Sequence, residues 1–199
     1  MAGREMKVLG ILGSPRIGGA SDTLLSEFLS TCEEKKVRTE KLVCRSLKIS
    51  PCVECYSCHT TGDCAISDDM QKVYPALLES QVIVIATPVF FYSVPAWLKA
   101  LIDRTQALWA RKYILKRAPP TELNGRKRKG YLICVGGTGG ERLFDGITLT
   151  VKYFFDTTGA QFILPALTFR KVEGAQDIIR HPSALSDVRK LALDALSSD

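Results

Sequence analysis

The sequence predicts a doubly wound α/β fold: a five-stranded parallel sheet in the order 2-1-3-4-5, with helices on both faces. Two observations carry that prediction. Short apolar runs alternate five times with segments of helical spacing, which requires crossover connections. The runs at Gln81–Ala86 and Tyr131–Val135 are continuous rather than alternating, as strands covered on both faces are. Right-handed crossovers leave few topologies, and this order fits best.

The elements follow in turn. Lys7–Leu12 is an apolar strand ending at a Gly-Ser-Pro turn, and Leu24, Leu25, Phe28 and Leu29 share one side of a helix from Ser21. Val37–Val43 reads as the second strand. A cysteine-rich loop over 51–64 leads to Asp68-Asp69, which opens a helix carrying Met70, Val73, Leu77 and Leu78. After the third strand, Pro95 opens a helix reaching about Leu108. Arg111–Arg128 is expected to be an excursion on the surface or at an oligomer contact. The fourth strand precedes a helix over Phe144–Thr157, and Gln161–Phe169 is a fifth strand broken by Pro165. A last helix runs over Ser183–Ala195. No repeat or linker divides residues 1–199, so one domain is expected.

Composition narrows the function. With 46% hydrophobic and 24% charged residues, the chain reads as globular. No apolar run approaches the ~18 residues of a membrane span. Met1–Lys7 shows no cleavage-site pattern, so a cytoplasmic location is expected. The net charge of +6 has one dense block, Arg126-Lys127-Arg128-Lys129, read as a solvated loop ahead of a strand or as a docking patch for an acidic redox partner or a pyridine-nucleotide phosphate. Nucleic acid is not expected, because no aromatic-rich basic strand or recognition helix accompanies the block.

Three loops leave strands one, three and four at one sheet edge, where such folds bind ligands. In Gly13–Thr23, glycines permit close backbone approach, Ser14, Ser21 and Thr23 offer hydroxyls, and Arg16 adds charge at a helix start. That loop suits a phosphate. No Gly-Lys-Ser/Thr follows and no G-x-G-x-x-G is present, which excludes a Walker loop and a dinucleotide fingerprint. Thr87–Pro95 holds Phe90, Phe91 and Tyr92 between prolines and could wall a planar apolar ring, or pack in the core. Gly136–Arg142 contains four glycines whose N–H groups suit a polar heterocycle.

Seven cysteines are present, and Cys52, Cys55, Cys58 and Cys64 form C-x₂-C-x₂-C-x₅-C. An odd total and tight clustering argue against a disulfide framework. Three thiolates at this repeat can fold around one iron–sulfide cube, with the fourth closing the site. Zinc and an empty, redox-labile loop remain the alternatives. His59 is read as a polar loop residue, and Cys32, Cys44 and Cys134 as small core residues. Cys32 and Arg38 match the C-x₅-R of phosphatases, but Glu33 and Glu34 would repel phosphate there, so that reading is rejected.

Gly13-Ser14-Pro15-Arg16, Thr87–Pro95 and Gly136–Phe144 fall in order and together resemble the NADPH-dependent FMN reductase and iron-sulfur flavoprotein family. The resemblance implies a flavodoxin-like domain. It puts the FMN phosphate on Ser14, Arg16, Ser21 and Thr23. The flavin ring would lie against Pro88, Val89, Phe90, Phe91, Tyr92 and Ser93 and against Gly137, Thr138 and Gly139. Ala20 stands where the family often has Asn. The cysteine motif resembles that of iron-sulfur flavoproteins, which carry a [4Fe–4S] cluster. Electrons would then pass from a donor such as ferredoxin through the cluster to FMN. The alternatives are an NAD(P)H-dependent FMN or quinone reductase without a cluster, and a non-enzymatic flavodoxin-type carrier, against which a pI near 9.0 weighs. Phe90–Tyr92 and the helix carrying Trp97, Leu101, Leu108 and Trp109 hold more apolar side chains than one face needs, so a homodimer or homotetramer is expected. The cysteine loop, past strand two, is expected far from strand four, so that a second subunit would bring cluster and flavin together.

Overall fold

A computed structural model describes residues 6–197, which leaves most of the Met1–Lys7 segment outside the described residues. The apolar runs form β1 (Lys7–Leu12), β3 (Val82–Pro88) and β6 (Lys129–Gly136), and the weaker Val37–Val43 pattern forms β2 (Arg38–Val43). These four pair in the order β2-β1-β3-β6, parallel throughout. The expected fifth strand is two pieces, β7 (Gln161–Phe162) and β8 (Leu167–Arg170), each parallel to β6. Pro165 lies between them, where a missing N–H interrupts only an edge ladder. Strand order 2-1-3-4-5 is therefore observed.

Burial explains the continuous runs. β6 is buried along its whole length, and β1 and β3 at all but one residue each. Alternate residues serve opposite faces. Val8, Leu12, Val84, Tyr131 and Ile133 pack with α1 (Ala20–Glu34), α7 (Ala175–Arg180) and α8 (Ala184–Leu196). Leu9, Ile11, Ile83, Ile85 and Leu132 pack beneath α3 (Met70–Glu79), α4 (Ala96–Arg104), α5 (Gln106–Trp109) and α6 (Asp145–Thr158). The short α2 (Cys58–Thr61) lies inside the cysteine loop. Helix α7 has no strong apolar stripe; the Asp177 carboxylate accepts the N–H groups of Glu173 (2.8 Å) and Gly174 (3.0 Å) and starts it. Among the described residues no helix is long and apolar enough to cross a membrane.

Cys32, Cys44 and Cys134 are buried as expected, and burial pushes the Cys32 and Cys44 thiols up to about 12. The surplus of apolar side chains on α4 and α5 is smaller than the sequence suggests. Leu101 and Leu108 are in the core, while Trp97 and Trp109 are exposed. Arg111–Arg128 is partly ordered, as a π-turn over Ala110–Ile114 and a hairpin of β4 (Glu122–Leu123) and β5 (Arg126–Lys127).

The basic block is not a solvated loop. Arg126 and Lys127 are exposed on the hairpin, but Arg128 is completely buried and Lys129 is buried at the start of β6. Arg128 Nε donates to Ser80 O (2.9 Å), Nη1 to Pro120 O (2.9 Å) and to Thr158 O, and Nη2 to Leu77 O. Two of these carbonyls close α3 and α6, whose C-terminal ends attract a cation. Burial alone pushes Arg128 down to about 10, still far above neutral pH, so it is charged there. Arg128→Ala should remove a charged donor from four inward carbonyls and lower the unfolding free energy by about 3–5 kcal/mol. Urea denaturation checks this; a loss below 1 kcal/mol would refute the anchoring role.

Candidate functional site

Because β1, β3 and β6 are parallel, their carboxyl ends release three loops at one edge. The first is tied down by Gly13 N–H to Ala86 O (2.8 Å). Ser14 is buried, and its Oγ accepts the Arg16 N–H (3.1 Å). Arg16 is itself exposed, with Nη1 donating to Glu173 O (3.0 Å). Gly18 turns through φ +71, and its N–H donates to Asp22 Oδ2 (2.7 Å). Asp22 also binds Lys41 (2.5 Å), and Arg45 donates to Pro15 O (2.8 Å), so β2 braces the loop. Ser21 is buried in the first turn of α1, which has no side-chain cap.

A cavity of about 180 Å³ is lined by Ser14, Pro15, Arg16, Gly19–Ser21, Pro88, Val89, Phe90, Val135, Gly136, Gly137, Val172 and Glu173. All three loops meet there. Of the expected site residues, Thr23 is not among the lining, and its hydroxyl is spent on Gly19 O (3.1 Å) within α1. Phe91, Tyr92, Ser93, Thr138 and Gly139 also lie outside the lining. Sequence reasoning missed Val172 and Glu173, which follow the split fifth strand. Their position just past a strand on the carboxyl edge was the available signal. Glu173 presses on Gly137, where a Cβ would sit 2.4 Å from its Oε1, so only glycine fits without the carboxylate moving.

The aromatic loop has an unusual backbone. Phe90 and Ser93 exchange N–H···O bonds, both 2.9 Å, around Phe91 (φ 49) and Tyr92 (φ 59). Positive φ at both central residues is the geometry of a type I′ turn, which favours Asn-Gly. Phe91 is fully exposed, whereas Phe90 reaches the cavity wall. Val89 N–H to Val135 O (2.9 Å) ties this loop to β6, and the Tyr92 carbonyl fills the space where Gly146 would carry a Cβ.

Cys52, Cys55, Cys58 and Cys64 line a second cavity, of about 320 Å³, together with Tyr56, Ile66, Arg104 and Ala107. The loop crosses back over the α3–α5 face rather than staying at the β2 edge. Arg111 donates from Nε to Gly62 O (2.8 Å) and pairs with Asp63, which seats the loop on the π-turn. The loop thus seats on α4, α5 and the turn after them, which follow β3 in the chain. Cys55 is flanked by Glu54 (φ 51) and Tyr56 (φ 57), two left-handed residues that bend the loop around it. The backbone N–H and the hydroxyl of Ser57 hold the Cys55 thiol below its usual range. Burial pushes Cys58 up, and repulsion from Cys64, Cys52 and Cys55 adds to this, so the four groups are near one another. They have not converged on one point: among the described residues no three His, Cys, Asp or Glu side chains are set to hold a metal ion. His59 is not a free polar residue; it is half-buried, its ring 4.9 Å from Tyr56 and 6.2 Å from Trp109. Cys32 and Arg38 form no phosphate loop, since Cys32 is buried inside α1 and Arg38 is exposed on β2.

Comparison with known proteins agrees with this geometry. The family model described as NADPH-dependent FMN reductase matches residues 6–145. An iron-sulfur flavoprotein of Archaeoglobus fulgidus is 38% identical over 138 residues, covering 68% of this chain and 66% of its own. An iron-sulfur flavoprotein of Methanosarcina thermophila is 32% identical over 126 residues, covering 63% and 66%. The match thus spans slightly under two thirds of either relative. The solved NAD(P)H:quinone oxidoreductase from Methanothermobacter marburgensis superposes with a TM-score of 0.74 over 98% of both chains at 14% identity, a likeness of fold. With the matched segment running from β1 through all three edge loops, the chain belongs to the NADPH-dependent FMN reductase family.

Proposed function

We propose that this chain is an FMN-dependent electron-transfer oxidoreductase whose cysteine loop holds a [4Fe–4S] cluster. The observations that carry the reading are the convergence of three loops on one cavity and a second cavity lined by four cysteines. The residues present fit the two groups. Buried Ser14 and Ser21 and the Arg16 guanidinium supply donors for a phosphate at the start of α1. The 180 Å³ cavity is too small for a whole flavin, so it suits the phosphate and side arm. Pro88, Val89 and Phe90 then form an apolar wall, and Gly136 and Gly137 offer backbone N–H groups. Bound FMN supplies hydride or single-electron acceptance, and the chain supplies position and electrostatics. Cys52, Cys55, Cys58 and Cys64 are the thiolate ligands, with a one-electron donor such as ferredoxin upstream.

A second reading, an NAD(P)H-dependent FMN or quinone reductase without a cluster, is favoured by the four thiols not having converged. In both readings the exposed Phe91, Tyr92, Trp97, Leu149 and Tyr153 form the contact of a homo-oligomer.

Replacing Arg16 with Ala should weaken FMN binding roughly tenfold to a hundredfold, about 1.5–3 kcal/mol. Quenching of flavin fluorescence reads the affinity, and an unchanged value counts against the loop. Cys55→Ser should lose iron and sulfide yet stay yellow, because the flavin site is built from other loops. Should the wild-type chain hold no iron after anaerobic reconstitution, the cluster-free reductase reading replaces the first. Sedimentation should show a dimer or tetramer; a fully active 21.9 kDa monomer at micromolar concentration would remove the oligomer from the proposal.

A further inference from the structure

The cysteine cavity has a charged floor. Arg104, the last residue of α4, is 1% exposed and lines that cavity. Its Nη1 donates to Ser50 O (2.9 Å) and Asp68 Oδ2 (2.6 Å), and its Nη2 to Ile66 O (3.0 Å) and Asp68 Oδ1 (3.2 Å). Ser50 precedes the first clustered cysteine, whereas Ile66 and Asp68 follow the fourth. One guanidinium therefore fastens both limbs of the loop. Asp68 closes the clasp by accepting the N–H groups of Ser50 and Met70, both at 2.9 Å. Burial would raise Asp68, but the bonds from Arg104, Ser50 and Met70 outweigh it and keep the carboxylate ionised.

Four of the five guanidinium N–H groups can be accounted for in this way. The fifth, on Nε, is buried without a hydrogen-bond partner. An orphaned buried N–H of a charged group is costly, and such groups generally meet an acceptor in the working molecule. Cys64 is close enough for its charge to bear on Arg104 and on Tyr74, whose hydroxyl is already spent on Arg104 O (2.7 Å). Lysine could not do the same work, since a single ammonium cannot span Ser50, Ile66 and Asp68 and still offer a donor in the plane of the fork.

Resting on the cluster reading above, we propose that Arg104 is a positioning residue: it clasps the two limbs of the cysteine loop in their cluster-binding shape and donates its free Nε–H to the Cys64 sulfur, raising the cluster's reduction potential. Reduction adds negative charge, so a buried cation and a hydrogen bond to a ligand sulfur favour the reduced state.

Two variants of the full chain test this. Arg104→Lys keeps a cation beside Asp68 but lacks the fork. Arg104→Gln combined with Asp68→Asn removes both charges together, leaving no unpaired one buried. Each protein is reconstituted anaerobically with iron and sulfide, and iron and FMN per chain are counted. One EPR-monitored titration then gives the cluster and flavin potentials. In both variants the cluster potential should move to more negative values, or iron should be lost while FMN and circular dichroism stay as in the wild type. Wild-type iron content with an unshifted cluster potential overturns the proposal, as does joint loss of FMN, which would make Arg104 a support of the whole fold. If the wild-type chain takes up no iron, the cluster reading itself fails. The clasp is then read on metal-free protein by hydrogen exchange. Amides of residues 50–68 should exchange at least tenfold faster in Arg104→Lys, and equal rates overturn the clasp.

Discussion

The whole site depends on the parallel pairing of β1, β3 and β6. Strands that run side by side in one direction must each be followed by a crossover, and every crossover leaves from the same edge. With Leu12 opposite Ala86 and Ala86 opposite Ile133, the three strands end within three residues of one another, so their loops emerge at one edge. The phosphate-type loop, the aromatic loop and the glycine loop meet for that reason, although Gly13 and Gly137 are 124 positions apart. The opposite edge is closed by Arg128, which gathers carbonyls from α3, α6 and the chain before β4. One end of the sheet is thus anchored by a buried cation, while the other opens into the cavity where the three loops meet.

Helix α4 runs from the aromatic loop to the cysteine cavity. It begins directly after the aromatic loop and ends at Arg104, a rise of about 12 Å for eight steps of 1.5 Å. Leu98 and Leu101 hold it against the sheet, so its ends cannot move independently. The return of the cysteine loop across this face brings its cavity to the same helix within one chain.

Much of this was legible in the sequence, for identifiable reasons. Continuous β-branched runs announce doubly covered strands, and a proline inside a weak strand announces an edge that breaks. Asp68-Asp69 before an apolar period announces a helix start, and Asp68 does accept the Met70 N–H. Other features depend on partners far along the chain. Arg128 sits in a run of four cations and looks solvated, but its acceptors come from residues 77, 80, 120 and 158. The pairing of Asp68 with Arg104 spans 36 residues, and no local pattern marks either member. Thr23 misleads in the opposite sense: a hydroxyl near a helix start looks available, yet one turn inside the helix it bonds back to Gly19 O.

The turn at Phe91-Tyr92 breaks a local rule without any gain in packing. Left-handed backbone at a non-glycine residue costs about 1–2 kcal/mol, and here two such residues are adjacent. Asn-Gly would make the same turn without that cost. Phe91 is fully exposed and Tyr92 largely so, hence neither side chain repays the strain within the chain. What the turn does achieve is positional. It brings Ser93 back to Phe90, holds Phe90 at the cavity wall, and projects two aromatic rings past the sheet edge. A strained segment that the fold does not need marks a surface shaped for a ligand or a partner. Glu54 and Tyr56 are left-handed in the same way around Cys55, in the loop that lines the cysteine cavity.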